Sequence, residues 1–121
     1  ARRTLARLGG AVVAAAALAL SVLFVAGCGG PGLDEVEPVR GVTEVAVQDL
    51  RFDAPVIEVP AGTEVTWLWE GSLPHDVVGD GFRSEVITDG EFAHRFETPG
   101  IYNYRCTLHG AMTGRVIVTL E

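Results

Sequence analysis

From Val42 onward the chain alternates its side chains with a period of two, and the three-and-four spacing of a helix is lacking. Val65, Trp67 and Trp69 alternate with Glu64, Thr66, Leu68 and Glu70. Phe92, His94 and Phe96 alternate with Ala93, Arg95 and Glu97. Tyr102, Tyr104 and Cys106 alternate with Ile101, Asn103 and Arg105. β-Branched runs at Val42–Val47, Val56–Val59 and Val116–Leu120 read the same way, and His75 to Val78 suits a short strand. Pro60-Ala61-Gly62 and Pro99-Gly100 are turn signals between them. One helical turn is expected near Phe82 to Val86. Seven or eight short strands separated by turns predict an all-β fold, an antiparallel sandwich.

The 121 residues suit one such domain, and 48% apolar content excludes general disorder. The net charge of −7 excludes the basic stripe that nucleic acid requires.

The first 27 residues read as an export signal. Arg2, Arg3 and Arg7 precede a run from Ala11 to Ala26 that is apolar except at Ser21. That run is short for a membrane span of about 20 residues and ends at glycines and Pro31. Val25-Ala26-Gly27-Cys28 resembles the lipobox of bacterial lipoproteins, which implies lipidation of Cys28. Ordinary cleavage with a plain thiol is the other reading. Residues 28–41, rich in Gly, Pro and acids, then form a flexible tether between a lipid anchor and a domain over 42–121. Without the leader, six Arg face sixteen acids, a net charge of −10. So acidic and small a domain gains from a staple such as a metal.

The chemistry concentrates in Cys106-Thr107-Leu108-His109-Gly110-Ala111-Met112. With Cys28 lipidated, Cys106 has no disulfide partner. A thiol, an imidazole and the chain's single thioether follow one another as C-x2-H-x2-M, and a second imidazole, His75, stands upstream in Leu73-Pro74-His75-Asp76-Val77. Two His, one Cys and a weak axial Met are the ligand set of a blue copper site. A soft thiolate and two imidazoles suit both copper oxidation states, so an electron moves with little rearrangement. A buried core thiol, a Cys/His nucleophile and a zinc site are weaker readings. No orienting acid or oxyanion device accompanies the pair, and Met is a poor zinc ligand. His94, Trp67 and Trp69 read as core residues.

The chain resembles the cupredoxins, in particular the plastocyanin-like and amicyanin-like blue copper proteins, from about Val42 to Glu121. The resemblance rests on Pro60-Ala-Gly-Thr-Glu-Val-Thr-Trp67, Leu73-Pro74-His75-Asp76-Val77, Phe96-x-x-Pro99-Gly100-x-Tyr102-x-Tyr104-x-Cys106-x-x-His109 and Met112-x-Gly114-x-Val116. The short gap between His109 and Met112 is closer to amicyanins. The resemblance implies an eight-stranded Greek-key sandwich and one type 1 copper held by His75, Cys106, His109 and Met112. It implies a monomeric electron carrier rather than an enzyme. Its donor and acceptor, a cytochrome, oxidase or dehydrogenase, dock near His109 among Leu73, Pro74, Leu108, Gly110 and Ala111. The same ligands would also serve copper delivery, storage or sensing. The expected location is the outer face of a bacterial membrane or the periplasm.

Two positions depart from the family pattern. Asp76 replaces the usual Asn, accepts from Thr107, and adds negative charge beside the metal. Gly110 replaces a common Pro and uncovers the His109 edge.

Overall fold

The computed structural model describes residues 32–120, which form two packed sheets. The expected export signal over 1–27 and Cys28 lie outside the described residues. Among those described, no helix is long and apolar enough to cross a membrane.

Ten strands follow in order: β1 (Val39–Arg40), β2 (Glu44–Gln48), β3 (Arg51–Asp53), β4 (Val56–Pro60), β5 (Thr63–Trp69), β6 (Val78–Gly79), β7 (Phe82–Arg83), β8 (Gly90–Phe96), β9 (Gly100–Arg105) and β10 (Thr113–Thr119). One sheet has the order β1-β4-β10-β9-β6-β7, and the other has the order β3-β2-β5-β8. This is the expected sandwich, with β1, β3, β6 and β7 only two or three residues long.

The period-two pattern decides which residues enter the core. In β5, Val65, Trp67 and Trp69 are buried while Glu64 is exposed. In β10, Gly114, Val116 and Val118 point inward. Trp67 occupies the centre, fully buried, with Phe82, Phe92, Phe96 and Tyr104 ring centroids 5.3–6.4 Å away. His94 is half-buried, stacks on Phe82 at 5.0 Å, and is not part of the His75, Cys106 and His109 group.

Two expectations are corrected. The sheets are mixed rather than antiparallel throughout: β4 runs parallel to β1 and β10, and β2 runs parallel to β5. Alternation reports which face a residue occupies and carries no information about the direction of the neighbouring strand. The helical turn near Phe82 is instead a hairpin, Val78↔Arg83 and Gly79↔Phe82, closed by Asp80-Gly81 with Gly81 at φ +85°. Asp-Gly is a hairpin signal of its own. A Cβ at Gly79 would overlap the Phe82 ring, so this glycine lets Phe82 fold back into the core.

Part of the stretch expected as tether lies against the sandwich. Leu33–Glu35 form a single 3-10 turn, and Asp34 makes an ion pair with Arg115 at 2.6 Å. Val39–Arg40 pair with Ile57–Glu58 on the edge of the larger sheet, where Arg40 also meets Glu58 in an ion pair.

Tyr104 carries two predictions. A Cβ at Gly114 would overlap its ring, so Gly114→Ala overpacks the core. Urea unfolding should show a loss of about 1–3 kcal/mol with an unchanged m-value. The Tyr104 hydroxyl and Trp67 Nε1 are both buried and neither meets hydrogen-bond geometry. Burial pushes the Tyr104 phenol well above its ordinary 10.0, an effect only partly offset by the facing Trp67 indole. The unfolded chain therefore ionises first, so stability is retained below about pH 10 and falls as pH rises beyond it. Tyr104→Phe should flatten that alkaline limb.

Candidate metal centre

The sandwich brings two loops together at one end. The first joins β5 to β6 and carries His75. The second joins β9 to β10 and carries Cys106, His109 and Met112. Each is held by backbone bonds that need no metal.

In the second loop, Arg105 still pairs with Thr113 across the β9/β10 ladder. The Cys106 N–H donates to the Met112 carbonyl at 3.0 Å, which closes the loop, and the Met112 N–H donates to the His109 carbonyl at 2.9 Å. Cys106 and Met112 are buried as a result, and His109 is half-buried. In the first loop, His75 exchanges two backbone bonds with Ile87 at 3.1 and 3.0 Å. Its carbonyl also accepts from Trp69 Nε1 at 3.3 Å. The His75 side chain is fully buried.

The thiol sits between the two imidazoles. Cys106 Sγ lies 3.8 Å from His75 Nδ1 and 3.6 Å from His109 Nδ1. All three ligand atoms lie within 4.8 Å of one another, and the two imidazole centroids are 4.9 Å apart. This spacing can be tested against a metal ion. With metal–nitrogen and metal–sulfur bonds of about 2.0 and about 2.3 Å, a trigonal angle of about 120° separates nitrogen from sulfur by about 3.7 Å. The observed distances bracket that value, so the spacing of the sulfur from each imidazole suits a shared first-row ion. Cys106 is buried and forms no disulfide among the described residues. Two nitrogens and one soft sulfur with a buried Met112 on the same loop are a copper donor set.

A carboxylate ties the loops together. Asp76, which follows His75, accepts from the Thr107 N–H at 2.6 Å and from Thr107 Oγ1 at 2.5 Å. The next residue, Val77, donates its N–H to Ser84 Oγ at 2.8 Å. The ligand loops are thus braced against each other and against Ser84, the residue that follows β7.

Sequence reasoning missed Asp49. It lies in the turn between β2 and β3 and accepts from the backbone N–H groups of Ser72 and Leu73 and from Ser72 Oγ. Its Oδ1 also lies 3.1 Å from His75 Nε2. The Leu73 N–H first, then the His75 ring and the Ser72 N–H, hold the Asp49 carboxyl well below the usual carboxylate range. An Asp before a β3 that begins with Arg51 reads as a turn residue. No sequence pattern ties it to a histidine 26 positions later.

The Asp76–Thr107 bond yields a test that needs no metal. Thr107→Val keeps the shape of the side chain and removes the hydroxyl donor to a buried carboxylate. The metal-free protein should lose about 1–3 kcal/mol in a denaturant melt.

Comparison with known proteins agrees with the donor set. The family model for copper-binding proteins of the plastocyanin/azurin family matches residues 39–119. Amicyanin-alpha from Methylorubrum extorquens is 34% identical over 90 residues, covering 68% of this chain and 76% of that protein. Amicyanin from Paracoccus versutus is 37% identical over 82 residues, covering 61% of this chain and 62% of that protein. Among solved structures, a purple cupredoxin from Nitrosopumilus maritimus superposes with a TM-score of 0.60 at 27% identity, covering 64% of this chain and 100% of that one. The sandwich, the trigonal spacing at Cys106 and these matches lead to one conclusion: the chain belongs to the plastocyanin/azurin family of copper-binding proteins.

Proposed function

We propose that this chain is a blue copper electron carrier whose single copper is held by His75 Nδ1, Cys106 Sγ and His109 Nδ1, with Met112 as a weak fourth donor. The observation that carries the reading is the seat of the Cys106 sulfur, 3.6 and 3.8 Å from two imidazole nitrogens on loops already closed by backbone bonds. Copper bound there supplies a one-electron Cu(II)/Cu(I) couple.

The residues around that couple do three things. Cys106 offers a soft sulfur, and its backbone bond to Met112 keeps that sulfur in place whatever the charge of the ion. The imidazoles complete a plane, and the Ile87 and Trp69 bonds prevent the His75 loop from withdrawing. Met112, 1% exposed, keeps water from the side of the loop it covers.

Electron exchange needs one ligand near the surface. His109 is half-buried, whereas His75 is fully buried. Leu73 and Leu108 are 42% and 43% exposed, and Pro74, Gly110 and Ala111 are exposed too. Exposed apolar residues on the two ligand-bearing loops support docking of a cytochrome, an oxidase or a dehydrogenase near His109, since transient redox complexes use small interfaces. Residues 1–27 act as the export signal, and Cys28 as the lipid attachment point. The rest of the segment up to residue 41 links that anchor to the domain. A monomer in the periplasm or on the outer face of a bacterial membrane then reaches donor and acceptor in turn.

Cu(II) titration followed by optical and electron paramagnetic resonance spectroscopy tests this. One equivalent should give a strong visible sulfur-to-copper band with narrow hyperfine splitting, and Cys106→Ala should erase both. A colourless complex that yields Cu(I) readily to a chelator would replace electron transfer by copper delivery.

A further inference from the structure

The two nitrogens of His75 face different neighbours. Nδ1 lies 3.8 Å from Cys106 Sγ, and Nε2 lies 3.1 Å from Asp49 Oδ1. A ring nitrogen that binds a metal must present its lone pair, so Nε2 must carry the hydrogen. The His75 side chain is fully buried, and a buried N–H without an acceptor is costly. Asp49 supplies that acceptor. Its own side chain remains 37% exposed, so one carboxylate bridges solvent and the buried ring.

The same carboxylate gathers the loop that leads to His75. The Ser72 and Leu73 N–H groups reach it at 3.1 and 3.0 Å, and Ser72 Oγ at 3.1 Å. A Cβ at Gly71 would overlap Asp49, so the loop passes too close for a side chain there. The turn holding Asp49 is itself strained. Leu50 has φ +69°, a left-handed conformation that costs a residue with a side chain about 1–2 kcal/mol. Such strain persists where surrounding structure fixes it, often beside a functional site. Here Leu50 lines the same open cleft as Ala111 and Met112 of the second ligand loop.

We propose that Asp49 is a positioning residue for the copper centre: it fixes His75 with Nε2 protonated and Nδ1 directed at the metal, and its negative charge favours Cu(II) over Cu(I). A carboxylate on the far nitrogen of a ligating histidine raises that ligand's basicity and sets its orientation. The electron that separates the two copper states comes from the redox partner. The proposal rests on His75 being a copper ligand.

Two substitutions in the full chain separate charge from geometry. Asp49→Asn keeps an acceptor oxygen and removes the charge. The blue site should remain, and the Cu(I)-to-Cu(II) affinity ratio should rise about tenfold, a potential increase of about 59 mV. Asp49→Ala removes the acceptor as well. It should lower Cu(II) affinity about 10–100-fold. Nitrogen-15 NMR of the metal-free protein should show the Nε2–H tautomer of His75 in the parent and a mixture in Asp49→Ala. An unchanged potential in Asp49→Asn, with an unchanged tautomer in Asp49→Ala, would reduce Asp49 to a loop fastener and overturn the proposal. His75→Ala distinguishes the two failures. A blue site that survives it sinks the ligand assignment together with this proposal. A blue site lost with it, beside a potential unchanged in Asp49→Asn and a tautomer unchanged in Asp49→Ala, sinks the proposal alone.

Discussion

The hydrogen bond from the Cys106 N–H to the Met112 carbonyl is the constraint on which the centre depends. It continues the β9/β10 ladder one step beyond the Arg105↔Thr113 pair and turns the intervening residues into a closed loop. A thiol on a free loop would sample many positions, and a metal would have to order it. Here the ladder orders it first. The sulfur then stands at a fixed height between two imidazoles, and His109 is placed by the Met112 N–H that bonds its carbonyl. This bond explains why Cys106 and His109, three residues apart on one loop, bring their sulfur and nitrogen to within 3.6 Å of each other.

The other half of the centre is placed by the core rather than by a ladder. His75 belongs to no strand and makes only an isolated bridge with Ile87. Its position comes from Trp69, whose indole bonds the His75 carbonyl, and Trp69 is held by the inward register of β5. Two positions away on the same face, Trp67 sits within an aromatic cluster that includes Tyr104, two residues before Cys106. The aromatic core therefore sets the distance between the loops. An overpacked ring at Tyr104 or Trp67 would move one loop relative to the other and spread the donors.

Much of this could be read in the sequence. Val65, Trp67 and Trp69 announced β5 by alternation, and Tyr102 and Tyr104 announced the inward face of β9, which Cys106 follows directly. The Cys106, His109 and Met112 spacing was legible because chemistry-bearing residues are few in this chain, with three His and one Met in 121 residues. Strand direction was not legible, because a parallel pair such as β2 and β5 leaves the same alternation as an antiparallel one. The β6–β7 hairpin was hidden because two-residue strands are too short for any period to show. Asp49 was hidden for a different reason. Its role depends on a contact between a turn and a loop from elsewhere in the chain, and a turn aspartate looks the same whether or not a histidine lies above it.

Both carboxylates near the centre act on backbone as well as on side chains, and this follows from where the ligands sit. A strand satisfies its N–H groups through its neighbours, whereas a loop that leaves the ladder to reach a metal does not. Ser72, Leu73 and Thr107 are such residues, and Asp49 and Asp76 accept their N–H groups. A charged acceptor makes a stronger bond than a neutral one, so a small domain can stiffen its loops without enlarging its core. The consequence is electrostatic. Rigidity obtained from carboxylates brings negative charge close to the donors: Asp76 follows His75 directly in sequence, and Asp49 Oδ1 lies 3.1 Å from His75 Nε2. In this chain loop stiffness and negative charge beside the donors are therefore not independent variables, because the same two side chains supply both.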